Sequence, residues 1–195
     1  KITFLYSGSL QEWHMPEVVI KYYSNLFDHF GNKVHLNFCT NNPIEAKEIF
    51  KSSNLPRNSF DIKNIPFNEI GREYIKADIG FCLIKNTFSK SVCAPVKFSE
   101  YIASNIYVIG NEGIGDIPEI IRKFKCGVVL NDVYQVEKNS KKLVNFVENL
   151  LKNNIETYNR DDLSFLDWNN EGSINLVNIY NKILEKYDKR INSTI

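Results

Sequence analysis

Residues 91–116 read SVCAPVKFSEYIASNIYVIGNEGIGD. The pattern predicts a loop, a helix beginning near Pro95, a strand over IYVIGN and a second loop. Lys97 and Glu100 fall in the first turns of that helix, three positions apart, and therefore lie on one helix face. The free N–H groups at a helix start also favour anions. One element could therefore hold a phosphate and a sugar hydroxyl together, a geometry suited to a nucleotide.

Apolar runs typical of strands alternate with helical patterns along the rest of the chain. The predicted strands cover residues 2–8, 35–40, 60–66, 79–84, 106–111 and 126–132, and the predicted helices cover 16–30, 42–54, 67–78, 95–103, 117–124, 139–152 and 172–189. This alternation predicts an α/β fold with three layers: a Rossmann-like parallel sheet of about six strands with helices on both faces. Asn42 and Asp116 are candidate N-caps.

Composition limits the possible partners. The 195 residues are 43% hydrophobic and 24% charged, which predicts a single folded domain over 1–195 with a full apolar core. A net charge of +1 provides no global attraction to nucleic acid, so any anion site must be local. A small molecule is therefore the expected partner, and no nucleic acid is expected.

The cysteines and histidines show no metal-ligand spacing. Cys39, Cys82 and Cys126 lie in apolar runs and Cys93 lies apart from them, so we expect reduced, structural thiols. His14, His29 and His35 complete no ligand pattern, and no metal or cofactor is expected. The sequence has neither a signal peptide nor an apolar run of the ~18 residues that span a bilayer, which predicts a cytoplasmic location, with peripheral membrane contact only through another part of the protein.

The segment 77–130 resembles the donor-binding half of family 4-like glycosyltransferases, which have the two-Rossmann-domain GT-B fold. The matching pieces are Ala77-Asp78, 95–103, 107–109, 113–121 and 127–129, and the likeness extends more weakly to FLYSGSL at 4–10 and FLDWNNEGSINLVNIYNKIL at 165–184. The resemblance implies the C-terminal half of a retaining hexosyl- or related transferase of bacterial lipopolysaccharide or capsule synthesis. It implies a UDP- or GDP-type nucleotide sugar as donor, a glycan or lipid-linked acceptor, and no required metal.

The chain begins with Lys1, and the stretch from Lys1 to Tyr6 already has the pattern of a strand. Under the resemblance we expect an N-terminal acceptor domain to be absent from this sequence. Because that half closes the cleft over the donor, the isolated domain is expected to bind a nucleotide and to transfer no sugar.

Ligands of an open parallel sheet bind beyond the carboxyl ends of its strands, so the loops there are the candidate site. The loop Ser7, Gly8, Ser9 and Leu10 is small enough for its backbone N–H groups to approach a phosphate, although an ordinary strand-to-helix turn explains it equally well. The resembled family often has Gly-Arg here, followed by a Lys, and this chain lacks both. The positive charge must then come from Lys97, Lys90 or Lys85.

The remaining roles are implied by the resemblance. The main chain of Ile65 would contact the base, beside Phe67, and PVKFSE at 95–100 matches a family branch written P-x-K-x-x-E. In that branch Lys97, next to Val96, meets the diphosphate and stabilises the leaving group as a catalytic residue, while Glu100 binds the ribose hydroxyls. The first Glu of the alternative E-x7-E motif is replaced by Val92. The loop 112–116 would form a rim facing the absent half.

Two alternatives remain open from sequence. An epimerase half of the same fold would act on a nucleotide sugar with His and carboxylate residues supplied by the absent half. A flavodoxin- or receiver-like regulatory domain would carry no enzymatic activity. A receiver needs clustered acidic residues after its first strand, and SGSLQ at 7–11 has none.

Overall fold

The computed structural model describes residues 1–155, 157–167, 169 and 172–192. The chain divides into two compact units, Lys1–Tyr158 and Asn159–Ile195. The predicted sheet lies wholly in the first unit, and a single domain over 1–195 stays a prediction. In the second unit a 3-10 helix covers Arg160–Leu166 and helix α7 covers Ser173–Asn192. Residues 168, 170 and 171 of the closing stretch 165–184 lie outside the described residues.

The first unit contains a six-stranded sheet in which every neighbouring pair is parallel. Its strands are β1 (Ile2–Ser7), β2 (Val34–Cys39), β3 (Phe60–Lys63), β4 (Ile79–Cys82), β5 (Tyr107–Asn111) and β6 (Gly127–Leu130). Their spatial order is β3-β2-β1-β4-β5-β6. The chain runs outward from β1 in one direction and from β4 in the other, so the topological switch point, where ligands of such sheets bind, lies between β1 and β4.

Helices cover both faces of this sheet. They are α1 (Pro16–Phe30), α2 (Pro43–Lys51), α3 (Gly71–Tyr74), α4 (Val96–Ala103), α5 (Ile117–Phe124) and α6 (Val136–Leu151). On one face the ring of Phe4 in β1 contacts Tyr23 of α1, and Phe38 in β2 contacts Phe50 of α2. On the other face a side chain on Gly80 of β4 would meet α4. The predicted three-layer Rossmann-like fold is confirmed.

The third predicted helix, over 67–78, is wrong in extent. The structure has a 3-10 turn at Phe67–Glu69 and only four helical residues at α3. Two apolar residues of the segment, Phe67 and Ile75, are exposed, and Gly71 lowers helix propensity. With Tyr74 buried but Phe67 and Ile75 left exposed, this segment gains too little from packing to extend the helix.

The two candidate N-caps behave differently. The Asn42 side chain accepts a hydrogen bond from the backbone N–H of Glu45, at 3.3 Å, so it caps α2 as predicted. Asp116 occupies the N-cap position of α5, but its side chain makes no capping hydrogen bond. The α5 start therefore depends on Pro118, which lies in the first turn and suits it because its missing N–H would have no helical partner.

All four cysteines are free, and Cys39, Cys82 and Cys126 are buried, as predicted. Within the described residues no group of three or more His, Cys, Asp or Glu side chains could hold a metal ion. Among the described helices, none has both the length and the apolar character needed to cross a bilayer.

Candidate functional site

A cavity of about 310 Å³ lies at the carboxyl ends of the central strands. It is lined by Ser7, Gly8, Cys39, Thr40, Asn41, Ile65, Phe67, Ile70, Tyr74, Lys97 and Glu100. These residues come from the ends of β1 and β2, the loop after β3, α3 and the first turns of α4. The cavity is therefore at the edge of the sheet where the topology predicts a ligand.

Lys97 brings a positive charge into this cavity. Its Nζ atom lies 3.2 Å from His14 Nδ1 and 5.4 Å from the centre of the Tyr6 ring, within range of a cation–π contact. Burial lowers the pKa of Lys97 below its ordinary value, although the nearby Glu100 carboxylate acts in the opposite direction. An ammonium that has lost much of its water gains strongly from an anion placed beside it.

Gly8 makes room for that ammonium. A Cβ atom at Gly8 would lie only 2.9 Å from Lys97 Nζ, so a larger residue would displace the lysine. The Gly8 N–H donates to the carbonyl of Cys39 at 3.0 Å, which ties the loop after β1 to the end of β2. The absence of a side chain thus leaves room for the lysine in the wall of the cavity.

Glu100 is held by a chain of hydroxyl groups. The Tyr74 hydroxyl donates to Glu100 Oε2 at 2.9 Å and lies 3.2 Å from Ser7 Oγ. Because the single Tyr74 proton is directed at the carboxylate, the Ser7 hydroxyl is the donor to Tyr74. Burial raises the pKa of Tyr74, which keeps it a hydrogen-bond donor throughout the physiological range. The remaining carboxylate oxygen can accept from a ligand hydroxyl.

The wall opposite α4 is more apolar. Ile65 is half-buried and Phe67 is 85% exposed at the rim, with Ile70 between them and α3. Thr40 and Asn41 complete this side from the loop after β2. Apolar side chains with a few polar groups beside them are a suitable surface for a planar heterocycle.

Six of the predicted site residues are brought together in the cavity: Ser7, Gly8, Ile65, Phe67, Lys97 and Glu100. Ser9, Leu10, Lys90 and Val96 do not line it. The Ser9 carbonyl accepts instead from the Tyr6 hydroxyl at 2.6 Å, and Val96 is 70% exposed.

The other two lysines proposed as charge sources have local partners. Lys90 Nζ lies 5.4 Å from the centre of the Trp13 ring. Lys85 forms an ion pair with Glu12, and its backbone N–H donates to the Trp13 carbonyl at 2.9 Å. Both therefore connect the loop after β4 to the loop after β1, and Lys97 alone of the three lines the cavity.

The residues that sequence reasoning missed are Cys39, Thr40, Asn41, Ile70 and Tyr74. The first three follow β2, which neighbours β1, so the rule that ligands bind at strand ends could have identified them. No sequence signal marks Tyr74, because its contact with Glu100 spans 26 positions.

The glycine-rich loop 112–116 lies apart from this cavity. Gly113 (φ 79°) and Gly115 (φ 47°) adopt left-handed backbone conformations that favour glycine. Side chains there would collide with Asn86 and with the Cys93 carbonyl, and the Gly115 N–H donates to the Ser91 carbonyl at 3.1 Å. The loop thus packs on the loop after β4, and its role as a rim facing another domain stays a prediction.

Comparison with known proteins identifies the fold. No protein-family profile matches the chain, and neither does any curated protein. Among solved structures, the C-terminal domain of a glycosyl transferase group 1 family protein (LpcC) from Francisella tularensis matches with a TM-score of 0.65 and 16% identity, over 86% of each chain. WaaG, a glycosyltransferase involved in lipopolysaccharide biosynthesis, matches with a TM-score of 0.57 and 14% identity, over 74% of this chain and 37% of WaaG.

A third structure, the S. aureus MnaA–UDP co-structure, matches with a TM-score of 0.50 and 12% identity, over 73% of this chain and 36% of MnaA. Similarity at these identities shows the fold. The chain has the fold of the C-terminal domains of GT-B glycosyltransferases, as the sequence resemblance implied. It spans little more than a third of the WaaG and MnaA chains.

Proposed function

We propose that this chain is the donor-binding domain of a retaining glycosyltransferase and binds a UDP- or GDP-linked sugar in the cavity between β1, β3 and α4. The observation that supports this most is the pairing of a desolvated Lys97 with an oriented Glu100 on one helix face, at the switch point of the sheet. The diphosphate would lie against Lys97, the ribose hydroxyls against Glu100, and the base against Ile65 and Phe67.

Catalytic assistance would come from Lys97 and the first turn of α4. Negative charge develops on the diphosphate as the sugar leaves, and a preorganised ammonium together with helix N–H groups stabilises that charge. Pro95, at the N-cap, makes no side-chain hydrogen bond to the first turn of α4. We propose that this stabilisation needs neither metal nor cofactor.

The acceptor and the pathway are part of the same proposal. An acceptor, either a glycan or a lipid-linked sugar, would be positioned by a separate N-terminal domain. The lipopolysaccharide role printed for WaaG supports a place in bacterial surface polysaccharide synthesis. Four free cysteines fit a reducing compartment, which supports placing the reaction in the cytoplasm, with any membrane contact at the inner face and through that other domain.

A thermal-shift panel of UDP, GDP, ADP and CMP tests the proposal. A ligand that binds only the folded state raises the melting temperature, by roughly 5–10 °C at a hundredfold excess over its Kd. We expect UDP or GDP to produce the largest shift. A chain that melts at the same temperature with all four nucleotides would contradict the proposed function.

Glu100→Gln is expected to weaken binding of the preferred nucleoside diphosphate by about 10- to 150-fold, because a hydrogen bond to a charged group contributes about 1.5–3 kcal/mol. The fold should persist, since Gln preserves an acceptor for Tyr74. Titration calorimetry measures the change, with Glu48→Gln on the exposed face of α2 as the matched control. If Glu100→Gln binds the nucleotide with wild-type affinity, Glu100 does not contact the ligand and the proposed role is wrong.

A further inference from the structure

His14 lies beside the proposed phosphate site without lining the cavity. It ends the 3-10 turn Glu12–His14 and is followed by Met15 in a left-handed conformation (φ 54°). This turn places His14 Nδ1 3.2 Å from Lys97 Nζ. An ammonium has only protons to donate, so Nδ1 must be the acceptor. The His14 imidazole is therefore neutral, with its proton on Nε2.

Positive charge surrounds this imidazole. Burial, with Lys97 and Lys90 nearby, lowers the pKa of His14 to about 4. Glu12, on the same turn as His14, is paired with Lys85. On α4, the Glu100 carboxylate acts to raise the pKa of Lys97. On β4, burial raises the pKa of the Cys82 thiol to about 11, so this thiol stays uncharged. Two cations thus act on His14, while Glu12 is paired with Lys85 and Glu100 accepts a hydrogen bond from Tyr74.

We propose that His14 and Lys97 form a proton-coupled receptor for the diphosphate. On binding, phosphate oxygens replace His14 as the acceptor of the hydrogen bond from Lys97, and His14 takes up a proton from water. This inference rests on the proposed function. In the free protein Lys97 donates to His14, and in the complex both groups are donors to phosphate oxygens. His14 would then supply the second cation that the loop at 7–10 lacks.

The proton balance determines the sign of the pH dependence. Bound phosphate offsets the charges of Lys97 and Lys90, so the His14 pKa rises toward its ordinary value of about 6.5. A group whose pKa is higher in the complex adds affinity as the pH falls through that higher pKa, and its contribution reaches its full value below the free pKa of about 4. The contribution of His14 to affinity should therefore increase as the pH falls from about 6.5 toward 4.

Titration calorimetry with UDP and GDP tests this, at pH 6 in two buffers that differ in ionisation enthalpy. The wild type is expected to take up roughly half a proton or more per nucleotide beyond the uptake of His14→Gln. Comparison with the variant cancels the titration of the nucleotide itself. Relative to His14→Gln, the wild type should also gain about tenfold in affinity between pH 7.5 and 5.5. His29→Gln, whose imidazole contacts Glu148 instead, is the matched control and should behave as the wild type.

Equal proton uptake by the wild type and His14→Gln would overturn the proposal. A second measurement needs no change at His14: in proton NMR of the wild type, the His14 ring signal should titrate near pH 4 without ligand and about two pH units higher with pyrophosphate. An unchanged titration would also overturn it. If pyrophosphate shifts His14 and neither UDP nor GDP binds, the anion receptor is supported and the nucleotide function fails. If no probe binds, both fail.

Discussion

Lys97→Met is expected to weaken binding of the preferred nucleoside diphosphate by at least about 100-fold, because it removes the charge-assisted hydrogen bonds that Lys97 would donate to the phosphates, worth about 1.5–3 kcal/mol each. Methionine matches the length and apolar stem of lysine but brings no charge. The Lys97 ammonium is the cation that faces the cavity, and the first-turn N–H groups of α4 alone cannot neutralise a diphosphate. Titration calorimetry would measure this effect.

The same substitution should leave the unliganded protein as stable as the wild type, or more stable. The lowered pKa of Lys97 means that folding disfavours its charged form, which costs stability at every pH at which the lysine is protonated. Lys51→Met, on the exposed end of α2 beside Glu48, is the matched control and should bind nucleotide normally. Undiminished binding by Lys97→Met, with the control intact, would show that another group holds the phosphates.

Gly80→Ala is expected to destabilise the fold by about 1–3 kcal/mol or more, the range seen when a packed core receives extra atoms. A Cβ atom at Gly80 would lie 2.5 Å from two carbons of the Tyr101 ring. This ring is fully buried between β4 and α4 and cannot move aside without displacing the helix. Urea denaturation monitored by circular dichroism measures the loss.

The matched control is Gly71→Ala in α3, where an added Cβ meets nothing within 4 Å. Alanine favours helix over glycine, so this variant should be neutral or slightly more stable. The Tyr101 hydroxyl accepts from the Ser7 N–H at 3.2 Å, so displacing its ring should also weaken nucleotide binding. Equal urea denaturation midpoints for the two alanine variants would show that the sheet tolerates a side chain at Gly80. The close packing of the Tyr101 ring of α4 against β4 would then be wrong.

The strands could be predicted because each is a short apolar run bounded by turn residues. The runs at β4 and β5 are buried along their whole length, as strands covered on both faces must be. β3 ends at Lys63, three residues earlier than predicted, and Pro66 could not have paired in any case because it lacks an N–H to donate to a neighbouring strand. Helix α3 was overestimated because apolar spacing alone does not show whether a face becomes buried.

The candidate site could be predicted in part. Spacing places Lys97 and Glu100 on one face of a helix, and strand order places the loops after β1 and β3 near them. The hydrogen bond from Tyr74 to Glu100 and the contact of His14 with Lys97, across 83 positions, depend on tertiary packing. The usual Arg and Lys of the resembled family are absent, and only the structure shows that an imidazole occupies the space beside the lysine.

A crystal structure of the chain with the nucleoside diphosphate that gives the largest thermal shift tests the central claim most directly. We expect phosphate oxygens within hydrogen-bonding distance of Lys97 Nζ, ribose hydroxyls on Glu100, and the base against the main chain of Ile65. A nucleotide bound elsewhere, such as the cavity of about 370 Å³ between α1, α2 and α6, would contradict the account. So would a nucleotide whose base, rather than its diphosphate, contacts Lys97.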